Sequence, residues 1–216
     1  DNIYVVENGS KNCRVQKFTS NGVYLMKFGS KGSGDGQFNE PSCIAITKDD
    51  SSEIYIADSL NHRIERFDST GQYLSQWGSY GNGNYQFNTP IGVEVDTVKN
   101  VYVVDKYNHR VCKYTSNGTF ITTWGAFGNA DNQFNYPVGI AIDSYGSVYV
   151  SDRGNARVQK FSPDGELICR FSSANPSEPC YPYGLVINSA GNVYMADDFT
   201  DCITVFMPGS TFRASR

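Results

Sequence analysis

The stretch "IYIADSLNHRIERF" at residues 54–67 returns as "VYVVDKYNHRVCKY" at 101–114 and as "VYVSDRGNARVQKF" at 148–161. Each copy reads as two short runs of β-branched and aromatic residues separated by a polar turn, which is the pattern of a β-hairpin. The Arg that opens the second run recurs as Arg14, Arg63, Arg110 and Arg157, and the Tyr of the first run as Tyr4, Tyr55, Tyr102, Tyr149 and Tyr194. The spacing is roughly 47 residues, inside the range of propeller blades.

Working outward, "GQFNEP" at 36–41, "YQFNTP" at 85–90 and "NQFNYP" at 132–137 form a second repeated word. A further run lies on each side of the hairpin. In the fourth unit "VGIAID", "SVYVSD", "ARVQKF" and "ELICRF" give four strands, and "PDG" at 163–165 places Gly where a turn needs positive φ. The words "SNG" at 20–22 and 116–118 and "STG" at 69–71 do the same elsewhere. A four-stranded unit cannot bury both of its faces alone, so such units stack, and the expected architecture is an all-β propeller.

The combination of "FGSKGSGDGQFNEP", "IYIADSLNHRIERF" and "VYVSDRGNARVQKFSPDG" resembles the NHL-repeat family, whose repeats form propeller blades, usually six to a ring. The resemblance covers essentially the whole chain. Five units are visible, at about 2–28, 42–77, 91–124, 138–171 and 183–216. The first begins at the second strand of the pattern, and the last offers only "STFRASR" as a weak outer strand. Terminal blades expose apolar faces and a bare strand edge. The usual six blades imply that one further blade of about 45 residues and an inner strand, from beyond this sequence or from a second chain, completes the ring. A closed ring of five would need only a short strand.

The 216 residues are 39% hydrophobic and carry a formal net charge of −4. A sizeable core is possible, and no Lys/Arg block supplies the concentrated positive field that a phosphate backbone needs, so nucleic acid is not an expected partner. No run reaches the roughly 18 apolar residues of a membrane-spanning helix, so no membrane insertion is expected.

His62 and His109 are the only histidines, and their register holds Ala156 in the fourth unit and Cys13 in the first. A position accepting His, Ala and Cys reads as structural. The peptidylglycine-amidating lyases, which this fold resembles, hold zinc with three histidines, a set that two cannot supply. Asp58 with Arg63, Asp105 with Arg110 and Asp152 with Arg157 share a spacing of five, which puts each pair at the ends of a tight hairpin and predicts charge-assisted hydrogen bonds. Glu94 stands in an inner strand where equivalent positions hold Ala45, Ala141 and Val186, so its carboxylate must find a cation or the central channel. The Gly/Asp/Asn loops lack a calcium-loop pattern, and neither "GxSxG" nor "CxxC" occurs. No catalytic residue, metal ligand or cofactor is therefore expected.

Of the six cysteines, Cys169 and Cys180 flank an irregular connection that a disulfide could pin. Cys43 and Cys112 read as buried thiols, and Cys13 and Cys202 could meet only if the first and last blades adjoin. Asn8 and Asn117 head sequons in turns, which with the cysteines favours an extracellular setting over a cytoplasmic one.

The reading favoured is a non-enzymatic interaction propeller that binds a protein or glycan through the variable connections "SKGSGDG", "SYGNGNY", "AFGNADN" and "SANPSEP". Tyr80, Tyr85, Phe127 and Tyr136 lie in or beside them as binding candidates, whereas Phe38, Phe87 and Phe134 read as packing residues. One alternative is a lyase- or lactonase-like enzyme with a metal at the ring centre, for which Glu94 is the conspicuous inner-strand group. The other is RNA binding, which resembles the propellers of tripartite-motif NHL proteins and expects a basic surface.

Overall fold

The computed structural model describes residues 2–9, 12–172 and 180–206. Among the described residues the blade sheets are antiparallel, and the parallel pairing is confined to one short pair of strands and to the single bridges Tyr80–Phe87 and Phe127–Phe134. Blade one is three-stranded, β1 (Asn2–Asn8), β2 (Cys13–Thr19) and β3 (Tyr24–Phe28), followed by the parallel pair β4 (Ser30–Lys31) and β5 (Gln37–Phe38). Blade two has four strands in chain order: β6 (Pro41–Ile46), β7 (Ile54–Asp58), β8 (Arg63–Phe67) and β9 (Tyr73–Trp77). Blade three repeats this with β10 (Pro90–Val95), β11 (Val101–Asp105), β12 (Arg110–Tyr114) and β13 (Phe120–Trp124). Blade four does so with β14 (Pro137–Ile142), β15 (Val148–Asp152), β16 (Arg157–Phe161) and β17 (Leu167–Ser172). Blade five contains β18 (Pro182–Ile187), β19 (Val193–Asp197) and β20 (Cys202–Phe206). The expected outer strand "STFRASR" and the "SANPSEP" connection lie outside the described residues.

The chain divides into two compact units, Asp1–Val103 with Lys113–Ile121, and Val104–Cys112 with Thr122–Arg216. In the first, β7 is buried at every position, which is why "IYIAD" is a continuous apolar run closed by one acid, not an alternation. The outer strand β9 alternates and ends on Trp77, whose ring meets Tyr55 at 6.2 Å and Tyr114 at 5.7 Å. Gly118, at φ +80°, closes the turn against that Trp, and a Cβ there would lie 2.7 Å from the indole. Ser42 Oγ donates to Ile91 O at 2.9 Å and Ser59 Oγ to Pro90 O at 2.7 Å, fastening β6 to β10. The second unit repeats the plan, with β15 fully buried and Trp124 on Phe161 at 5.9 Å.

In blades two and four the Asp and Arg of the hairpin face one another, and they also hold the loop that precedes the blade. In blade two Arg63 Nε donates to Asp58 at 2.9 Å, while its other nitrogens donate to the Ser33, Gly34 and Gln37 carbonyls at 2.9, 2.9 and 2.6 Å. Asp58 also accepts from Asn39 N–H, and Asn61 Nδ2 donates to both Asp58 and Gly32 O. Blade four matches: Arg157 reaches Asp152 and the Asn129, Ala130 and Gln133 carbonyls, and Asn155 reaches Gly128 O. Arg110 meets Asp105 at 2.9 Å. Blade one has Glu7 in the Asp position, paired with Arg14 at 3.0 Å. In blade five Thr200 donates to Asp197 in place of the Asn, and Cys202 takes the Arg register.

No disulfide joins the cysteines among the described residues. The expected Cys169–Cys180 bridge is not formed, because Cys180 points into the core of blade five beside Val193, Met195 and Phe206, whereas Cys169 sits on β17 opposite Lys160. Burial, reinforced by the Asp197 carboxylate, pushes the Cys180 thiol up to about 12. Cys112 is buried and Cys43 half-buried, its Sγ 3.5 Å from Val93 O.

Two predictions follow from the loop clamp. Asp152→Ala leaves a buried guanidinium without its carboxylate and should cost about 3–5 kcal/mol in denaturant unfolding. Glu65, fully buried, accepts Gly36 N–H and touches Arg63, yet burial pushes its carboxyl up to about 8 from 4.5. Between those values the folded state binds more protons than the unfolded one, so stability falls as pH rises. Gln159 fills the same place in blade four with its amide hydrogen-bonded, so Glu65→Gln should fold and should flatten the decline of Tm across that window.

Candidate functional site

The inter-blade loops are braced from within. The Gln of each "QFN" word turns its Oε1 back to a loop amide, Gln37 to Gly34, Gln86 to Gly83 and Gln133 to Ala130, each at 3.0 Å. The Phe that follows is fully buried: Phe38 meets Phe67 at 5.6 Å, Phe87 meets Tyr114 at 5.8 Å and Phe134 meets Phe161 at 5.6 Å. These three rings plug the blades, and the loops present other side chains outward.

The histidines serve that presentation. Both follow a short 3-10 turn, at Ser59–Asn61 and Lys106–Asn108, and hold left-handed backbone, φ 56° at His62 and 54° at His109. Ala156 and Asp201 share this conformation at 53°. His62 Nδ1 accepts the Thr89 N–H at 3.1 Å, and His109 Nδ1 accepts the Tyr136 N–H at 3.2 Å. An accepting Nδ1 requires the unprotonated ring, and burial lowers the His109 pKa below 6.5 in the same direction.

In the first unit Tyr80 lies edge-on to His62 at 5.0 Å and is 67% exposed. Tyr85 is less available than its loop position implies. Its hydroxyl accepts the Phe120 N–H at 3.2 Å and its ring leans on Tyr114 and Phe120, so it braces blade three. In the second unit His109 sits between Phe127 at 4.9 Å and Tyr136 at 5.1 Å. Tyr107 extends the group, 5.6 Å from Tyr136, with Lys106 Nζ 5.1 Å over its ring. Phe127, Tyr107 and Tyr136 are 68%, 46% and 43% exposed. Burial, with the nearby Arg153 charge, lowers the Lys106 pKa. Tyr107 escaped the sequence reading; its signal was a ring in the middle of the three-residue turn Lys106–Asn108, where it is only partly covered.

Glu94 is half-buried in β10, its Oε1 accepting the Val95 N–H at 3.1 Å. Burial raises its pKa, partly offset by the Lys48 charge, and no ion pair holds it among the described residues. No group of three His, Cys, Asp or Glu side chains that could hold a metal occurs among the described residues. Asn8 and Asn117 are exposed, and Asn117 Oδ1 accepts from Arg66 at 2.9 Å. No described helix is long and apolar enough to cross a membrane.

The NHL repeat model matches residues 87–114 and 134–161. No curated protein sequence matches the chain. Among solved structures, a protein of unknown function from Bacteroides caccae is 14% identical with a TM-score of 0.68, over 99% of this chain and 71% of that one. A catalytically inactive virginiamycin B lyase from Staphylococcus aureus, with quinupristin, is 14% identical with a TM-score of 0.72, over 98% and 64%. A chain of the nidogen/laminin complex is 18% identical with a TM-score of 0.69, over 90% and 68%. This chain thus spans about two thirds of their length, and identities this low establish the fold alone. The repeated words, the blade topology and the solved structures it resembles give this chain a β-propeller fold, with NHL repeats matched at 87–114 and 134–161.

Proposed function

We propose that this protein is a non-enzymatic interaction propeller, and that the cluster of Lys106, Tyr107, His109, Phe127 and Tyr136 is its principal surface for a protein or glycan partner. The observation that carries the reading is Phe127, a large ring 68% exposed yet held by the His109 ring on a braced loop. Rigid exposed aromatic area binds with little side-chain entropy to lose, which is why such rings dominate binding hot spots. The likeness to a chain of the nidogen/laminin complex supports a protein partner, and the two exposed sequons support an extracellular setting.

The likeness to virginiamycin B lyase supports the alternative of an enzyme, for which Glu94 is the one carboxylate within the described inner strands β6, β10, β14 and β18. RNA binding has the net charge of −4 against it.

Wild type and a Phe127→Ala/Tyr136→Ala double variant, immobilised side by side, should be probed with a glycan array and with crosslinked extract from the native source. Binding by wild type should weaken at least tenfold in the double variant, about 1.4 kcal/mol, with Tm unchanged. A double variant that keeps all wild-type binding would sink the proposal. Glu94→Ala tests the alternative: with no role in binding or catalysis, removal of a half-buried unpaired carboxyl should raise Tm by about 2–4 °C. Because the Glu94 pKa is raised, the gain should be larger at pH 8 than at pH 5.

A further inference from the structure

The residue after the Asp that closes each second strand is Ser59 in blade two, Lys106 in blade three, Arg153 in blade four and Asp198 in blade five. From this place Ser59 and Arg153 each reach the blade that follows. Ser59 Oγ donates to Pro90 O at 2.7 Å, and Arg153 donates to Asp198 through Nε at 3.1 Å and Nη2 at 2.7 Å. The neighbour that Lys106 meets in the same way is Arg153, so two cations stand side by side. The acid that pairs with Arg153 lies on the blade beyond it. No carboxylate bears on Lys106 among the described residues, and the Arg153 charge joins burial in lowering its pKa. Ser59 shows that the fold itself requires no cation at this place.

The cation pair continues the aromatic cluster. Lys106 Nζ sits 5.1 Å over the Tyr107 ring, Tyr107 meets Tyr136, and His109 joins Tyr136 to Phe127. His109 adds no charge, because its Nδ1 accepts the Tyr136 N–H and burial lowers its pKa. The acids nearest to it are buried and paired, Asp105 with Arg110 and Asp152 with Arg157. The surface thus has an apolar end at Phe127 and Tyr136 and a cationic end at Lys106 and Arg153. Tyr107 crosses Tyr136 at 84° and His109 crosses Tyr136 at 63°, while Lys106 covers one face of Tyr107. Rings that cross so steeply offer edges and crevices, which suit an apolar side chain better than the flat face of a sugar.

We infer that Lys106 and Arg153 read a carboxylate, and that the partner is a protein offering a segment with an Asp or Glu a few residues from an aromatic or branched aliphatic side chain. The acid lies between the two cations, where Arg153 Nη1 has no acceptor among the described residues, and the apolar side chain enters beside His109 between Phe127 and Tyr136. A half-buried ammonium with a cation for a neighbour gains more from an incoming carboxylate than an open surface lysine does, because repulsion is relieved as the pair forms. Nucleic acid does not fit, since two cations are too few to follow a phosphate backbone. The inference rests on the aromatic cluster as the binding surface and adds the chemistry of its partner.

The test selects a phage library of random linear dodecapeptides on the immobilised intact chain and measures the enriched sequence, as a labelled synthetic peptide, by fluorescence anisotropy. An Asp or Glu near an apolar residue is expected in that sequence, with affinity falling at least tenfold when the acid becomes its amide and likewise for Lys106→Glu. That variant gives Arg153 an acid from within, as Asp198 already does, so its Tm should hold or rise and misfolding cannot explain the loss. The acid-to-amide change in the peptide should then cost the Lys106→Glu protein little. Peptides that bind wild type but not the Phe127→Ala/Tyr136→Ala variant, with no shared acid and no response to Lys106→Glu, overturn this inference and leave the aromatic surface standing. Peptides that bind the double variant as tightly as wild type remove both. No enriched sequence that saturates below about 1 mM, or retention instead of a carboxylated or sulfated glycan that Lys106→Glu abolishes, overturns the protein partner.

Discussion

The guanidinium at the head of each third strand is the constraint on which the loops depend. Arg63 and Arg157 are buried, and their donors go to side-chain acceptors, a hairpin Asp in each case, and to main-chain carbonyls 24 to 30 residues earlier. A planar fork with five donors can satisfy several carbonyls at once, which an ammonium cannot. Buried without those partners, the charge would be strongly destabilising. The arrangement therefore fixes a loop of irregular backbone that would otherwise be the most mobile part of the blade. The Gln brace and the Phe plug act on the same loop, and the His ring receives its last amide. Exposed rings on such a loop are presented in a set place.

How far this could be read from the sequence depended on whether a feature is local. Strand order, turn glycines and the buried Phe38, Phe87 and Phe134 announce themselves in words of a few residues that recur at one period. The Asp and Arg spacing was legible for the same reason, since five residues around a tight turn return the chain to its partner. What Arg63 does with its remaining donors was not legible, because the carbonyls belong to a segment nearly thirty residues away and carry no side-chain signature. Glu7 was hidden by a longer side chain in the Asp position and by an extended turn. Tyr85 looked free because its hydroxyl partner is a backbone amide 35 residues on. The Cys169 and Cys180 pairing came from proximity in the chain, whereas the direction of each side chain is set by its own strand.

The repeats also act as an internal control on what the fold demands. Three positions at the loop end of each blade point outward: the middle of the 3-10 turn, the third residue of the inter-blade loop and the residue before the conserved-in-register Pro. The chain fills the first with Leu60, Tyr107 and Gly154, the second with Lys31, Tyr80 and Phe127, and the third with Glu40, Thr89 and Tyr136. Glu40, Thr89 and Tyr136 all hold positive φ, so the backbone is the same whether the side chain is acidic, small or aromatic. The backbone at the third place is thus indifferent to the residue, whereas at the first a Cβ on Gly154 would lie 2.7 Å from the Asn135 carbonyl oxygen. Phe127 and Tyr136 both meet His109, a ring pinned by a backbone hydrogen bond, and Tyr107 meets Tyr136. Exposed rings joined to one another through His109 and Tyr136 separate this cluster from the singly scattered exposed apolar residues that any surface carries.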